Sequence, residues 1–259
     1  MIEEPLAGGG VNEVVRVGDT VRRPIGPWTP AVHRLLEHLA AAGFEGAPRA
    51  HGLDAAGREI LDYVPGDVAH YPVPAYAWSD AALAALAVLM RAFHDATAGF
   101  PEQDAEWYFP PREPAEVVCH GDIAPYNCVY RDGLPVALID FDTAHPGPRL
   151  WDVAYAAYRF VPLSGVGNGE AVLPVTEQAR RLRLLGDAYG LSDDERTELP
   201  EVAAERLRAM VDHMRQQAAA GNEAFAAHLA AGHADLYLAD IDHITRHATT
   251  FQNAPSGIT

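Results

Sequence analysis

Four oxygen-bearing side chains lie close together in one stretch of this 259-residue chain: Asp122, Asn127, Asp140 and Asp142. The stretch reads Val117-Val118-Cys119-His120-Gly121-Asp122-Ile123-Ala124-Pro125-Tyr126-Asn127-Cys128-Val129-Tyr130. It continues through Arg131-Asp132-Gly133 to Leu138-Ile139-Asp140-Phe141-Asp142. Two carboxylates and an amide oxygen are hard ligands, suited to Mg2+ held partly through phosphates. One further carboxylate nearby can orient a hydroxyl and accept its proton. That set serves phosphoryl transfer, where positioning and charge stabilisation do most of the catalysis. Taken singly, each Asp or Asn also reads as a turn former or hairpin cap; the ordered combination points to chemistry.

The elements that must position these groups follow from pattern. Apolar strands at Cys128 to Tyr130 and Val136 to Ile139 flank Asp132-Gly133, a strong hairpin signal. Asp122 and Asn127 precede the first strand and Asp140 ends the second, so the hairpin brings both clusters to one end. Upstream, Gly8 to Asn12 reads as a glycine-rich turn, and strands to Val17 and from Thr20 to Arg23 flank Gly18-Asp19. Pairing across that turn puts Val15, Val17, Thr20 and Arg22 on one face, with Val14, Arg16, Val21 and Arg23 on the other. A helix is predicted over Pro30 to Ala42, with Thr29 as N-cap, Gly43 as stop and an apolar stripe of Val32, Leu35, Leu36 and Leu39. Strands at Arg49 to Leu53 and Glu59 to Val64 follow, broken by Pro65-Gly66. Helices then dominate, at Asp80 to Ala98, Thr176 to Tyr189, Asp193 to Ala220, Glu223 to Ala231 and Ala234 to His247. Gly165 to Gly169 reads as a loop, with no clear strand before it and no helix opening on it, as a dinucleotide fingerprint would need.

Composition narrows the function. Acidic residues number 36 against 19 basic ones, a net charge of -17. All the basic residues are arginine; the chain contains no lysine. Lysine nucleophiles, Schiff bases and a P-loop lysine are therefore excluded. The acidity argues against nucleic-acid binding and against docking on anionic membranes. Residues 1–64 carry a net charge of -3 and residues 65–259 one of -14. The excess acid gathers at Asp193, Asp194, Glu195, Glu198, Glu201 and Glu205, which reads either as a surface that favours a cationic partner or as a solvated helix face. No apolar run is long enough to span a bilayer, no leader pattern is present at Met1 to Gly10, and Cys119 and Cys128 form no disulfide or zinc pattern. The expectation is a cytoplasmic protein, monomeric or homodimeric.

His120-Gly121-Asp122, then Asn127, then Ile139-Asp140-Phe141-Asp142 resembles the signature of the aminoglycoside phosphotransferase family, whose fold is similar to that of protein kinases. Arg149-Leu150-Trp151-Asp152-Val153-Ala154 resembles the helix start after that family's metal motif. Arg91-Ala92-Phe93-His94-Asp95 resembles its helix before the catalytic loop. The resemblance implies an α+β, two-lobed protein-kinase-like fold: a small antiparallel-sheet lobe at 1–64 that binds nucleotide, and a mostly helical lobe at 65–259 for catalysis and the acceptor. It implies Mg2+-dependent transfer of a γ-phosphoryl group from ATP or GTP to a small-molecule hydroxyl, with a cationic antibiotic such as an aminoglycoside as a fitting acceptor. In that scheme Asp122 is the catalytic base, and Asn127 and Asp140 hold Mg2+, with Asp142 assisting. His120 is a buried scaffold residue and Asp152 braces the catalytic loop. Leu61, Tyr63 and Val64 form the hinge at the adenine.

One departure stands out. Kinase-like folds place a lysine on the third strand, paired with a helical glutamate. Here Arg22 or Arg23 must take its place; the more apolar face favours Arg22, although one residue of slip reverses the choice. Arginine binds phosphate as a fork and not as a point charge. The glutamate's position falls at Val32 or His33, with Glu37 one turn on. Two alternatives follow: a catalytically inactive nucleotide-binding or immunity protein on the same fold, and a phosphatase. The second rests on Asp140-Phe141-Asp142-Thr143, similar to the first motif of haloacid-dehalogenase phosphatases with Asp140 as nucleophile, a fold that needs further parallel strands.

Overall fold

The computed structural model describes residues 3–6, 14–100, 105–165 and 172–253. The expected turn at Gly8 to Asn12 and all but Gly165 of the Gly165 to Gly169 loop lie outside them. In chain order the strands are β1 (Glu4–Pro5), β2 (Val15–Val17), β3 (Thr20–Arg23), β4 (Ala50–Leu53), β5 (Glu59–Asp62), β6 (Asp67–Val68), β7 (Val117–Cys119), β8 (Cys128–Arg131), β9 (Leu134–Leu138) and β10 (His145–Gly147). The helices are α1 (Thr29–Ala41), α2 (Asp80–Thr97), α3 (Arg149–Phe160), α4 (Val175–Tyr189), α5 (Asp193–Ala219), α6 (Glu223–Ala230) and α7 (His233–Gln252). Two compact units divide the chain, Met1–Asp152 and Val153–Thr259.

In the first unit a five-stranded sheet runs in the order β1-β2-β3-β5-β4. The β2–β3 hairpin pairs Val15 with Arg22 and Val17 with Thr20, the register expected from the Gly18-Asp19 turn. β3 pairs with β5, setting Arg23 opposite Glu59 and Val21 opposite Leu61. The helix α1 starts one residue early, so Thr29 is its first residue and not its cap; its hydroxyl instead accepts from Gly26 N–H at 2.9 Å. The predicted stripe of Val32, Leu35, Leu36 and Leu39 is buried.

The hairpin expected around Asp132-Gly133 is β8–β9, with β6 added at its edge. Asp132 and Gly133 both adopt positive φ, as a tight two-residue turn with right-handed strand twist demands. The short β7–β10 pair stands beside it; neither β6 nor β10 was expected from pattern. Beneath lies α2, capped by Ser79, whose side chain accepts from Ala82 N–H. Its buried face carries Leu83, Leu86, Ala87, Met90 and Phe93 and packs against β9 and β7. Every strand pair among the described residues is antiparallel. The phosphatase alternative, which needs a parallel sheet, is therefore set aside.

The second unit is helical. α5 opens with a capping box in which Ser192 and Glu195 bond reciprocally, and it runs unbroken through Pro200. Its acidic start is thereby explained locally: Asp193, Asp194 and Glu195 occupy the first turn, where the helix dipole favours negative charge. α5 packs on α7 and α6, and α4 on α7. Buried Asp240 on α7 accepts from Tyr158 Oη at 2.9 Å and from Gly165 N–H at 3.1 Å.

Truncating a fully buried α2 side chain removes packing beneath the hairpin. Leu86→Ala should destabilise the first unit by about 2–5 kcal/mol, read as an earlier urea midpoint in near-UV circular dichroism.

Candidate active site

The loop between β7 and β8 is shaped by one carboxylate. Gly121 has φ +85°, a conformation that a Cβ opposes, and an added Cβ there would lie 2.4 Å from Thr143 O. The reversal aims two successive amides at Asp152: His120 N–H donates to Oδ2 at 2.7 Å and Gly121 N–H to Oδ1 at 3.0 Å. His94 Nε2 on α2 lies 3.1 Å from Oδ2 and donates to it, since a carboxylate only accepts. Asp152 is fully buried. Burial alone would raise its pKa, but the His94 bond and the His120 amide outweigh it and hold the carboxyl down at about 2.

His120 carries the order onward. Its Nε2 lies 3.0 Å from Ile139 O, so that nitrogen is protonated, and Nδ1 faces Asp122 N–H at 3.4 Å. Burial holds the imidazole below its ordinary pKa and so neutral. The bond to Ile139 fixes the peptide just before Asp140, which sits at φ 66°, ψ 68° in the left-handed region. A non-glycine residue held there marks stored strain of the kind found at functional sites. Phe141 follows, packed on the rings of His120 and Phe93.

Asn127 Nδ2 donates to Asp122 Oδ2 at 2.8 Å and to Asp122 O at 2.9 Å. The amide nitrogen is thus committed, and Oδ1 is the oxygen left to face a cation. Tyr126 Oη lies 3.3 Å from Asp122 Oδ1, a contact not anticipated from sequence.

On the opposite wall stands Arg23. Its Nε donates to Glu59 Oε1 at 2.5 Å, Nη1 to Asp140 Oδ1 at 2.8 Å, and Nη2 to Asp142 Oδ1. Arg22 points the other way, towards Thr20 Oγ1 at 2.7 Å and Asp54 at 3.8 Å. The preference for Arg22 is therefore corrected. The register was right, but the face with Val15 and Val17 is the one turned from the cleft, while Val21, Arg23, Glu59 and Leu61 share the cleft face. The partner glutamate is also relocated. It is Glu59 on β5 and not a residue of α1; the helix instead contributes His33, whose Nε2 lies 2.9 Å from Glu59 Oε2. Glu59 is 1% exposed, and a carboxylate heading the strand Glu59-Ile60-Leu61 was the one available sign. Burial opposes the charge on Arg23, but Asp140, Asp142 and Glu59 together raise its pKa above the ordinary value. Burial pushes Asp142 up to about 6, with Arg23 pulling it back and Asp140 adding to the rise.

A cleft of about 230 Å3 links these groups. Val14, Val21, Leu61, Val68, Val129 and Ile139 give it apolar walls; Arg23, Asn127 and Asp140 lie at its polar end. Tyr63 and Val64 line it at the hinge. Tyr63 N–H donates to Asp19 O at 2.9 Å, and the Arg16 guanidinium sits 3.9 Å over the Tyr63 ring. Among the described residues the Val64 N–H has no backbone partner. Asp140 and Asp142 converge on one guanidinium through Oδ1 of each, and Asp140 lines the cleft with Asn127. No three His, Cys, Asp or Glu side chains gather as a metal cage among the described residues. Two carboxylates and an amide oxygen are hard donors, which suit a cation that completes its shell with phosphate and water.

The Asp152 bonds generate a pH test. A depressed carboxyl pKa contributes stability that is present above the unfolded value of about 4 and is lost as pH falls through about 2. Asp152→Asn should cost on the order of 2 kcal/mol at neutral pH and flatten the acid limb between those values, measured by denaturant unfolding across pH.

Comparison with known proteins agrees with this geometry. The model of the phosphotransferase enzyme family, APH, matches residues 102–199. A trifolitoxin immunity protein from Rhizobium leguminosarum bv. trifolii is 38% identical over 200 residues, covering 74% of this chain and 75% of the relative. A choline/ethanolamine kinase family protein from Mesorhizobium loti superposes with a TM-score of 0.65 at 19% identity, covering 97% of this chain and 92% of its own. An aminoglycoside phosphotransferase from Alicyclobacillus acidocaldarius superposes at 0.56 and 16% identity, over 96% and 93%. An amicoumacin kinase in complex with AMP-PNP, Ca2+ and Ami gives 0.63 at 14%, over 87% of each chain. At those identities the structures establish a kinase-like fold, with an antiparallel-sheet N-terminal part and a helical C-terminal part. With the Asp122 loop and the Asp140 strand end inside the matched region, the chain belongs to the APH phosphotransferase family.

Proposed function

We propose that this protein transfers the γ-phosphoryl group of ATP or GTP to a hydroxyl of a small molecule, with Mg2+. The observation that carries the reading is the polar end of the cleft: Asn127 and Asp140 line it beside Arg23, and Asn127 is bonded to Asp122, below apolar walls that suit a purine base. Residues 1–64 form the nucleotide-binding lobe and 65–259 the catalytic and acceptor-binding lobe. Leu61, Tyr63 and Val64 take the base, with the Val64 N–H as donor to its edge. Arg23 serves the phosphates. Asn127 Oδ1, Asp140 and Asp142 would hold Mg2+, which supplies neutralisation of phosphate charge when bound. Asp122 orients the acceptor hydroxyl and receives its proton; Asn127 Nδ2 and Tyr126 Oη steady its two oxygens.

The acceptor is a small alcohol, and the surplus acid of the chain favours a cationic one such as an aminoglycoside or another amino-bearing antibiotic. A second reading, an immunity protein that binds nucleotide on this fold without turnover, is favoured by the name of the 38%-identical relative. Mass spectrometry of an antibiotic and amino-alcohol library incubated with ATP or GTP and Mg2+ separates the two. A product heavier by one phosphate group supports the first. Nucleotide-dependent thermal stabilisation with no product across the library supports the second.

On an identified acceptor, Asp122→Ala should lower kcat by about 10²–10⁴-fold while nucleotide affinity holds within about twofold. Full activity in that variant would remove Asp122 as the base.

A further inference from the structure

The Arg23 side chain has no free nitrogen to offer. Nε is taken by Glu59, Nη1 by Asp140 and Nη2 by Asp142, and the residue is 8% exposed. Three carboxylates thus share one guanidinium. Two of them, Asp140 and Asp142, are the pair assigned above to the divalent cation. Arg23 holds one oxygen, Oδ1, of each, and a guanidinium charge beside both carboxylates opposes a second cation there. The third, Glu59, is of a different kind: it sits directly across the strand register from Arg23, is buried, and has its other oxygen held by His33 on α1. It is fixed from two elements.

We propose that Arg23 is an internal counter-ion that occupies the Asp140–Asp142 pair in the nucleotide-free protein and competes with the divalent cation for it, while Glu59 and His33 are positioning residues that keep Arg23 at the cleft when its Nη atoms are released to phosphate. The proposal rests on the phosphotransferase reading of the cleft. Its physical basis is the fork of arginine. The Nε anchor is separate from the two Nη atoms, so the group can keep one bond and exchange the others. Metal alone displaces a cation that nothing else accepts. Metal with nucleotide displaces it onto phosphate oxygens. The cation and the nucleotide therefore enter together, and a chain without lysine gains a site that discriminates against metal alone.

The test is Mn2+ binding to the nucleotide-free, full-length protein, followed by electron paramagnetic resonance. Arg23→Met should bind Mn2+ about tenfold more tightly than the wild type, or better. Adding Asp140→Asn to that variant should abolish the gain. Equal affinity in wild type and Arg23→Met, or a gain that survives Asp140→Asn, overturns the proposal. Should Arg23→Met fail to fold, the wild type carries the test alone. Its Arg23 Nη–H resonances should stay in place with Mg2+ alone and shift when Mg2+ is added with a non-hydrolysable nucleotide, while Nε–H stays bonded to Glu59; a full shift of the Nη–H resonances with Mg2+ alone overturns the proposal. Glu59→Gln tests the anchor. Nucleotide affinity should fall about tenfold while Mn2+ affinity stays within about twofold, and Glu59→Asp should recover part of the loss. A parallel fall in both affinities would mark Glu59 as merely structural. None of these readouts needs turnover, so a failed acceptor screen would count against the phosphotransferase reading and leave this result to stand by itself.

Discussion

One buried carboxylate orders the loop between β7 and β8. Asp152 receives the amides of His120 and Gly121 and the imidazole of His94, three donors on two oxygens with no water between. A buried charge is costly unless it is fully paired, and here the pairing outweighs burial. The loop can present both amides only because Gly121 reverses the chain. From that reversal follow the place of Asp122, the His120 bond to Ile139 and the strained backbone of Asp140. The two polar clusters are thus tied together through the scaffold before any ligand joins them.

The second organising feature is electrostatic imbalance. Glu59, Asp140 and Asp142 surround a single guanidinium, leaving an excess of negative charge around it. Burial pushes Asp142 up to about 6 because one cation cannot neutralise three carboxylates. The absence of lysine shapes the answer the fold has found. An arginine stands on β3, its carboxylate partner comes from the neighbouring strand, and a histidine occupies the helix.

Much of this was legible from local pattern. The Asp132-Gly133 turn, the α1 stripe and the β2–β3 register are short-range consequences of backbone conformation and side-chain alternation, and each appears in the structure as read. The acidic run at Asp193 to Glu195 was ambiguous in sequence, and the capping box accounts for its place at the helix start. The edge strands β6 and β10 were missed because two or three residues carry no periodicity; they exist only where β8 and β7 offer open hydrogen bonds.

By itself the sequence determined the candidate kit: Asp122, Asn127, Asp140 and Asp142, and a hairpin that gathers them. It also determined that arginine must stand in for lysine. The tertiary structure alone decided which arginine, since that depends on which face of β3 turns to the cleft. It likewise decided that Glu59 meets Arg23 across 36 residues and that His94 meets Asp152 across 58. Alternation and turn chemistry act within a few residues of chain. Pairing of buried charges is settled only when distant elements pack and desolvate them together.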